Sequence, residues 1–429
     1  MLRVFGSPRA PYRAQKMASP LVRRSPRLPP VLIEITRASI RTRTTQTAND
    51  LDLGKTVYGV GQANTTLQMA WEANAPPEFQ IGLIDRLTYM TTPTSLADSL
   101  LRRLRQAVPG GVQVSVNLSS FSRWRIGGPA DALVEPTNRH EVAGVLQLLE
   151  STGTPYCVVG ETSNLLFDSR GLRGVIVRIA ARMSGISFDG RDVVVKAGTS
   201  VPELARAAGA KGLSGIEHTV GIPGTLGGLV IMNGGSQRKG IGSSVAWVRY
   251  VDRVGTLIEL SREDCEFSYR SSALQRLGGV VTEVGLRLDR GNTDEIEAEM
   301  DEIVASRQAR FPEDAPNCGS TFLSNPAMYS SVGPPGKAID DAGLRGTQIG
   351  GAQISPKHSN FINNVGGATS DDVLALVGLV RGAVLERTGF RMDAEARYVS
   401  PDGKVTAAHT VSDDRAASPG TSMTPIHPK

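Results

Sequence analysis

A glycine-rich stretch near the middle of the chain is the feature of the sequence most suggestive of chemistry. Residues 221–236 read GIPGTLGGLVIMNGGS and place six glycines around a short apolar run. Such a cluster marks tight turns, because glycine reaches positive φ without a steric penalty. It also suits a ligand that lies against bare backbone, whose N–H groups can converge on an anion. The spacing alone leaves both interpretations open.

A second polar turn follows a predicted buried strand at residues 158–168, VVGETSNLLFD. Hydroxyl and amide residues in this turn offer hydrogen-bond donors from side chains as well as backbone. The two segments together predict a clasp for an extended, phosphate-linked cofactor. The turn contributes Gly160, Thr162, Ser163, Asn164 and Leu165.

Other familiar site types are not indicated. The segment GPPGK at 333–337 lacks the spacing and hydroxyl residue of a P-loop, and GVGQAN at 59–64 lacks the third glycine of the dinucleotide fingerprint. The cysteines Cys157, Cys265 and Cys318 lie far apart, and the five histidines show no ligand spacing. We therefore expect reduced thiols and no metal site.

Composition limits the classes of protein. A chain of 429 residues is too long for one ordinary core and suggests two or three domains. No stretch approaches the roughly 20 apolar residues of a membrane-spanning helix. The net charge of +5 comes largely from residues 1–33, which hold six arginines, one lysine and no acid. Without a basic stripe interleaved with aromatics, we expect neither a nucleic-acid nor a membrane partner.

The two ends of the chain are predicted to be disordered. Residues 1–89 are rich in Arg, Ser, Pro and Thr, a composition that buries little apolar surface. Three explanations are open. The start codon could have been assigned too early, with Met90 as the true start; the segment could direct transit into an organelle; or it could be an extra folded module. The polar residues 401–429 are likewise expected to form a disordered tail.

Between these ends the pattern alternates strands and helices in three units, 90–180, 181–310 and 311–400. The first unit is expected to begin with a helix capped by Ser95, and a second helix follows Asn138. The strongest helical pattern is SDDVLALVGLVRGAVLERTG in the third unit. We expect Ser370 to cap that helix and Gly389 to end it.

Seven segments identify a resemblance to a known family. In chain order they are FSRWRIGGPADALVEP, VGETSNLL, GLSGIEHTVGIPGTLGGLVIMNGGS, FSYRSS, CGSTF, GLRGTQIGGAQISPKHSNFINN and DAEAR. Together they closely resemble the UDP-N-acetylenolpyruvoylglucosamine reductases, over residues 95–400. The short separation of FSYRSS and CGSTF resembles the subgroup without an inserted tyrosine-bearing loop.

The resemblance implies an α+β and α/β multidomain fold. The first two units would form a two-lobed FAD-binding domain of the vanillyl-alcohol-oxidase type, and the third an α+β substrate domain. The glycine-rich stretch would lie along the FAD pyrophosphate and the inner edge of the flavin, facing the clamp formed by the polar turn. The implied FAD-binding residues are Gly160, Thr162, Ser163, Asn164, Leu165, Gly221, Ile222, Pro223, Gly224, Thr225, Gly227, Gly228 and Asn233.

The implied reaction completes UDP-N-acetylmuramate for peptidoglycan synthesis, and so for cell shape and division. NADPH reduces the flavin, which delivers hydride to the methylene carbon of the enolpyruvyl ether. Arg270 in FSYRSS matches the arginine that steadies the enolate, and Ser320 in CGSTF matches the proton donor. Glu395 in DAEAR matches the glutamate placed across from the arginine. Cys318 has no paired base and is not expected to act as a nucleophile.

Contacts with the UDP-sugar are implied in and near the third unit. The candidates are Tyr269, Asn325, Arg345 and Gln353, with His358 and Asn360 as further ones by position. Relatives commonly carry a basic residue where this chain has Leu323 and Ser324, so one phosphate contact is missing there. The resemblance implies a cytoplasmic monomer, or a plastid protein if the N-terminal segment directs transit.

Two other functions stay open on the sequence. One is a different flavin oxidoreductase with the same cofactor lobes, such as a sugar-lactone oxidase. The other is a catalytically idle flavin- or nucleotide-binding module with a basic docking arm. The combination of Arg270, Ser320 and Glu395 favours the reductase, because alcohol oxidation has no use for Ser320 with Glu395.

Overall fold

The computed structural model describes residues 96–324 and 326–417. The predicted Ser95 cap and the segment 1–89 therefore lie outside the described residues, and helix α1 begins at Asp98 after Ala97. The elements of the first unit are α1 (Asp98–Ala107), β1 (Val112–Asn117), β2 (Pro129–Val134), α2 (Arg139–Ser151), β3 (Tyr156–Val159), β4 (Leu165–Phe167) and β5 (Leu172–Arg178).

The first unit is a four-stranded sheet in the order β1-β2-β5-β3. Strand β5 lies parallel to β2 and β3, and β1 pairs antiparallel with β2. Helix α2 begins where expected, because the Asn138 side chain accepts hydrogen bonds from the backbone N–H groups of His140 and Glu141. This sheet ends at its β3 edge in the polar turn that precedes β4.

The second unit is a five-stranded antiparallel sheet in the order β10-β9-β11-β7-β6. Its core is continuous with that of the first unit, so the two sheets are lobes around a shared interior. The elements are β6 (Ile186–Asp189), β7 (Asp192–Lys196), α3 (Val201–Gly209), β8 (Leu213–Ser214), α4 (Leu226–Ile231), β9 (Val245–Val251), β10 (Leu257–Ser261), α5 (Leu274–Leu277), β11 (Val280–Arg287), β12 (Asp289–Arg290) and α6 (Thr293–Arg310).

The third unit packs the long helix α9 against a three-stranded sheet, β13-β14-β15. A second, mixed sheet in the order β17-β16-β4 joins it to the first unit. The elements are α7 (Pro326–Tyr329), α8 (Pro335–Asp341), β13 (Gln348–Ile349), β14 (Ala352–Ile354), β15 (Ile362–Asn364), α9 (Ser370–Thr388), β16 (Arg397–Val399), β17 (Val405–Ala407) and α10 (Ala408–Ala417).

The cap of α9 differs from the prediction. Thr369, not Ser370, is the N-cap: its side chain accepts from the backbone N–H of Asp372, whose carboxylate accepts from Thr369 N in return. Ser370 is the first helical residue and exchanges hydrogen bonds with Ser169 of the first unit, at 2.8 and 3.1 Å. Gly389 ends the helix at φ +76°, as expected.

The expectation of a disordered tail from residue 401 is wrong over 401–417. Strand β17 pairs with β16, and α10 packs along α9. Ser412 donates a 3.0 Å hydrogen bond to the Leu374 carbonyl, and Asp413 forms an ion pair with the buried Arg381. The segment has little hydrophobic periodicity of its own, so its order comes from these long-range partners.

The junction between β4 and β16 positions the site. The strands run parallel with Leu165 opposite Arg397. Tyr398 donates a hydrogen bond to the buried Asp168 carboxylate, and Trp124 Nε1 donates to the Ile362 carbonyl at 2.7 Å. The third unit is thereby fastened beside the polar turn of the first.

Candidate functional site

The structure brings the polar turn and the glycine-rich stretch into contact. A Cβ added to Gly160 would overlap Thr225 Oγ1. Gly224 has φ +140°, and a Cβ there would lie 3.0 Å from Ser163 Oγ. Two segments from different lobes therefore meet as the sequence predicted, and their role as a cofactor clasp stays a prediction.

Not every glycine in the stretch faces open space. A Cβ on Gly227 would lie 3.1 Å from Ala197 Cβ, and one on Gly221 would overlap the Arg307 side chain. Gly228, in contrast, is exposed on α4, where Thr225 accepts a hydrogen bond from its N–H. Part of the glycine content thus serves packing between elements, and only part leaves backbone accessible.

Two of the predicted cofactor residues use their side chains inside the protein. Thr162 is buried with φ +53°, and its hydroxyl accepts from Arg123 N at 3.1 Å. The Asn233 amide donates to the Ser268 carbonyl at 2.8 Å and accepts from Gly242 N at 2.9 Å. A cofactor would meet the backbone of these residues rather than their polar side chains.

Asn164 links the polar turn directly to Glu395. Its side-chain Nδ2 donates to the Glu395 carbonyl at 3.1 Å, and its own carbonyl accepts from Arg397 N at 3.0 Å. The residue that follows, Leu165, begins β4. Besides any contact with a cofactor, the Asn164 amide holds the segment that carries Glu395, two residues before β16 begins.

A cleft of about 380 Å³ lies between the lobes along these segments. Its volume falls in the range of ligand pockets, ~300–1,000 Å³. Of its two carboxylates, Glu161 pairs with Arg178 Nη2 at 3.0 Å and Glu203 is exposed. The cleft is lined mainly by short side chains and exposed backbone, with one arginine. Such a lining fits the diphosphate of a dinucleotide. The lining residues are Arg123, Glu161, Ala181, Ser184, Gly198, Ser200, Pro202, Glu203, Pro223, Gly224 and Thr225.

Arg123 is the cationic cleft residue to which the sequence gave no role. It lies in FSRWRIGGPA, one of the segments that carry the resemblance, but no role was given to it there. The available signal was the pair of arginines, Arg123 and Arg125, directly before the glycine pair.

The predicted arginine and glutamate form an ion pair. Arg270 Nε lies 2.8 Å from Glu395 Oε1, although the N–H direction is not aligned for a hydrogen bond. Arg270 Nη2 donates to the Gly235 carbonyl at 3.0 Å, which anchors the guanidinium to the end of the glycine-rich stretch. Arg270 has φ +52°, an unfavourable conformation that the surrounding contacts maintain.

The environment of Glu395 favours its protonated form. Burial raises the pKa of the Glu395 carboxyl above its ordinary value of 4.5, and the charges of Arg270 and Arg397 only partly offset this effect. The group can therefore carry a proton beside an arginine that stays charged.

Ser320 lies next to the strand pairing that holds Glu395. Glu395 N donates to the Thr321 carbonyl at 2.8 Å, and Phe322 forms a β-bridge with Ala394. Ser320 is half-buried and follows Gly319, whose φ is +84°. The structure thus pairs Arg270 with Glu395 and places Ser320 one residue from the backbone partner of Glu395.

Cys318 does not have the properties of a nucleophile. Burial and the charge of Glu395 raise the pKa of its thiol far above the ordinary range, and Arg123 opposes them. The thiolate would be the reactive form, so this residue is inert. The described cysteines are all buried and unpaired, and no metal-sized cluster of His, Cys, Asp or Glu occurs in 96–324 and 326–417.

The structure does not gather all the predicted substrate residues around this pair. Arg345 forms an ion pair with Asp340 and donates to the Pro356 carbonyl at 2.7 Å. The Gln353 side-chain amide donates a 3.2 Å hydrogen bond to the Gly346 carbonyl. Arg345 and Gln353 are therefore both bound to neighbours within the third unit. Tyr269 is exposed, and its ring centre lies 5.5 Å from Cζ of the Arg270 guanidinium. Asn325 lies outside the described residues.

The other two positional candidates support neighbouring structure. Asn360 donates to and accepts from the backbone of Phe322, at 3.0 and 2.9 Å, and so braces the segment after Ser320. His358 packs against Phe311 and Phe361, and burial lowers the pKa of its imidazole. Their contacts with a substrate remain a prediction.

The two lobes, their glycine-lined cleft and the fused third unit define an FAD-dependent oxidoreductase with a separate C-terminal domain. A family model described as an FAD binding domain matches residues 130–261. The model described as the UDP-N-acetylenolpyruvoylglucosamine reductase C-terminal domain matches residues 311–399. The chain belongs to the UDP-N-acetylenolpyruvoylglucosamine reductase family, as its sequence motifs indicated.

Individual relatives support this membership. UDP-N-acetylenolpyruvoylglucosamine reductase 1 of Corynebacterium glutamicum is 47% identical over 320 residues, which cover 75% of this chain and 96% of the relative. The reductase of Heliobacterium modesticaldum is 39% identical over 286 residues, 67% of this chain and 90% of the relative. The crystal structure of the Thermus caldophilus reductase matches with 31% identity and a TM-score of 0.56. The match covers 67% of this chain and 98% of the reductase.

Proposed function

We propose that this protein uses FAD and NADPH to reduce UDP-N-acetylglucosamine enolpyruvate to UDP-N-acetylmuramate, a step of peptidoglycan precursor synthesis in the cytoplasm. The observation that carries the proposal is the 2.8 Å Arg270–Glu395 pair, held against both the cofactor wall and the Ser320 segment. Bound FAD would supply the hydride for the methylene carbon of the enolpyruvyl group. In the described residues, no helix has the length and apolar character to cross a membrane.

Arg270 has the properties needed to stabilise the charge that this addition creates. Hydride arriving at the methylene carbon leaves negative charge on the neighbouring carbon and its carboxylate. A guanidinium stays charged at every relevant pH and offers several donors to such a group. Its anchor on Gly235 and its contact with Glu395 preorganise it, so little reorganisation is needed when the charge develops.

Ser320 and Glu395 provide the proton side of the reaction. The hydroxyl of Ser320 is a weak acid, but a carbanion-like carbon is basic enough to take its proton when the two are held together. Burial raises the pKa of the Glu395 carboxyl, so this group binds a proton more readily than an ordinary glutamate beside the developing enolate. The backbone bond from Glu395 N to Thr321 sets the distance between these two donors.

The two half-reactions, measured separately, test the proposal. Purified full-length protein should carry a yellow flavin chromophore. Under anaerobic conditions NADPH should bleach it, and the enolpyruvyl sugar nucleotide should restore it with formation of UDP-N-acetylmuramate, identified by mass. A flavin that is reoxidised only by oxygen would point to an oxidase, and a colourless protein that cannot be reconstituted with FAD would remove the proposal.

A further inference from the structure

Arg123 lines the 380 Å³ cleft together with residues of the polar turn and of the glycine-rich stretch. Its neighbours on this wall include Glu161 of the polar turn and Gly224 and Thr225 of the glycine-rich stretch. The side chain is exposed, and within the described part of the chain no acidic group forms an ion pair with it. A cation on a cleft wall without an internal partner is available to an anionic ligand.

The backbone of Arg123 is fixed by the cofactor segment itself. Thr162 Oγ1 accepts from Arg123 N at 3.1 Å and donates to the Phe121 carbonyl at 3.3 Å. The next residue, Trp124, is fully buried and bonds to Ile362. The arginine therefore projects from an anchored backbone, and the entropy lost when it binds a ligand is limited to its own side chain.

The charges around the cleft favour an anion at Arg123. Glu161 already has a cationic partner in Arg178, at 3.0 Å. Glu203 is exposed, so solvent and salt screen its charge. The hydroxyl of Thr162 donates to the Phe121 carbonyl, and one N–H of the Asn164 amide donates to the Glu395 carbonyl. Both groups are neutral, so neither supplies the positive charge that a phosphate favours.

We propose that Arg123 binds the diphosphate of FAD and supplies the positive charge of the cofactor site. This inference rests on the proposed function for the identity of the cofactor. The diphosphate carries two negative charges, and an arginine can engage it through two parallel N–H groups. NADPH and the UDP-sugar also carry diphosphates, but the cleft shares its wall with the cofactor segments and includes none of Arg270, Ser320 and Glu395.

Flavin titrations of the apoprotein test this assignment without measuring turnover. Flavin is removed from the full-length protein, and quenching of flavin fluorescence reports the affinities for FAD and riboflavin. We expect Arg123→Gln to weaken FAD binding by on the order of tenfold and to reduce its sensitivity to salt. Riboflavin, which has no phosphate, should bind the variant as it binds the native protein. Arg125→Gln, in the same segment but off the cleft wall, is the matched control.

The outcomes separate this inference from the proposed function. Native apoprotein that fails to bind FAD would contradict the proposed function itself. Native protein that binds FAD, with Arg123→Gln binding it equally well, would overturn only the role of Arg123. Equal weakening of FAD and riboflavin would also overturn it, because a loss of charge should not affect an uncharged flavin. A raised KM for NADPH or the UDP-sugar with unchanged FAD affinity would assign the arginine to those diphosphates and overturn the inference.

Discussion

The side chain of Asn164 donates a 3.1 Å hydrogen bond to the backbone carbonyl of Glu395, 231 positions later in the chain. One residue of the predicted cofactor clasp thus holds the segment that carries the proposed acid. The parallel pairing of Leu165 with Arg397, two residues after Glu395, continues the same connection. The polar turn and the Glu395 segment are therefore linked, and this relationship underlies the first prediction.

Asn164→Ala should impair the substrate half-reaction more than the flavin half-reaction. Loss of one hydrogen bond of about 1 kcal/mol loosens Glu395 and should slow reoxidation of the reduced flavin by roughly fivefold. Stopped-flow absorbance measures both phases. NADPH should still reduce the flavin within about twofold of the native rate. Asn117→Ala, at the exposed end of β1, should change neither phase. Equal slowing of both by Asn164→Ala would contradict the positioning role.

Ser320→Ala should leave flavin reduction by NADPH intact and suppress formation of UDP-N-acetylmuramate. Without its hydroxyl the proposed proton donor is gone, and general acid catalysis of this kind contributes roughly 10²–10⁴-fold. Product is quantified by mass spectrometry after single turnover. Ser330→Ala, on an exposed turn of the same unit, serves as the control. A similar loss in both half-reactions would argue against the assignment.

Glu395→Gln should change how stability depends on pH. The folded-state pKa of Glu395 is raised by burial, so the native protein binds its proton more tightly than the unfolded chain. This contribution is fully present below the ordinary pKa of 4.5 and is lost as pH rises through the raised value. The native protein should therefore lose stability relative to Glu395→Gln over that window. Denaturant unfolding at several pH values measures the difference, and a constant difference would count against the raised pKa.

Gly160→Ala should weaken FAD binding and lower stability by about 1–3 kcal/mol, because the added Cβ overlaps Thr225 Oγ1 and separates the two clasp segments. Adding Thr225→Ala in the same chain should recover part of both losses. Thermal unfolding and flavin titration give the double-mutant cycle. Gly144→Ala, whose Cβ meets nothing within 4 Å in helix α2, should be neutral or stabilising. Strictly additive effects of the two clasp substitutions would refute the contact.

Asp413→Ala should destabilise the fold by about 1–3 kcal/mol, because it removes an ionic partner of Arg381, which is only 5% exposed. Arg381 would keep its 2.6 Å bond to the Met392 carbonyl, so unfolding should remain cooperative. Asp301→Ala removes an exposed partner of Arg206 and should stay within about 0.5 kcal/mol of the native protein. Equal stability of the two variants would mean that α10 adds little to the packing of the third unit.

Local patterns predicted the elements well where the determining contacts are local. The helix start after Asn138 and the helix end at Gly389 are confirmed, because each depends on residues within one helical turn. The cap of α9 was assigned one residue late. Thr369 and Ser370 are both good caps by type, and the contact between Ser370 and Ser169 settles which of them enters the helix.

By itself the sequence determined the family, and it pointed to the three residues proposed for catalysis, because each lies in a short contiguous motif. The tertiary structure decided which hydrogen-bond partners the polar side chains near these residues have. Thr162 turns its hydroxyl to a residue 39 positions away, and Asn164 turns its amide to one 231 positions away. The ordered segment 401–417 likewise depends on contacts with α9 and β16. A polar side chain in a turn can satisfy its hydrogen bonds in several ways, and only the folded chain shows which partner lies within reach.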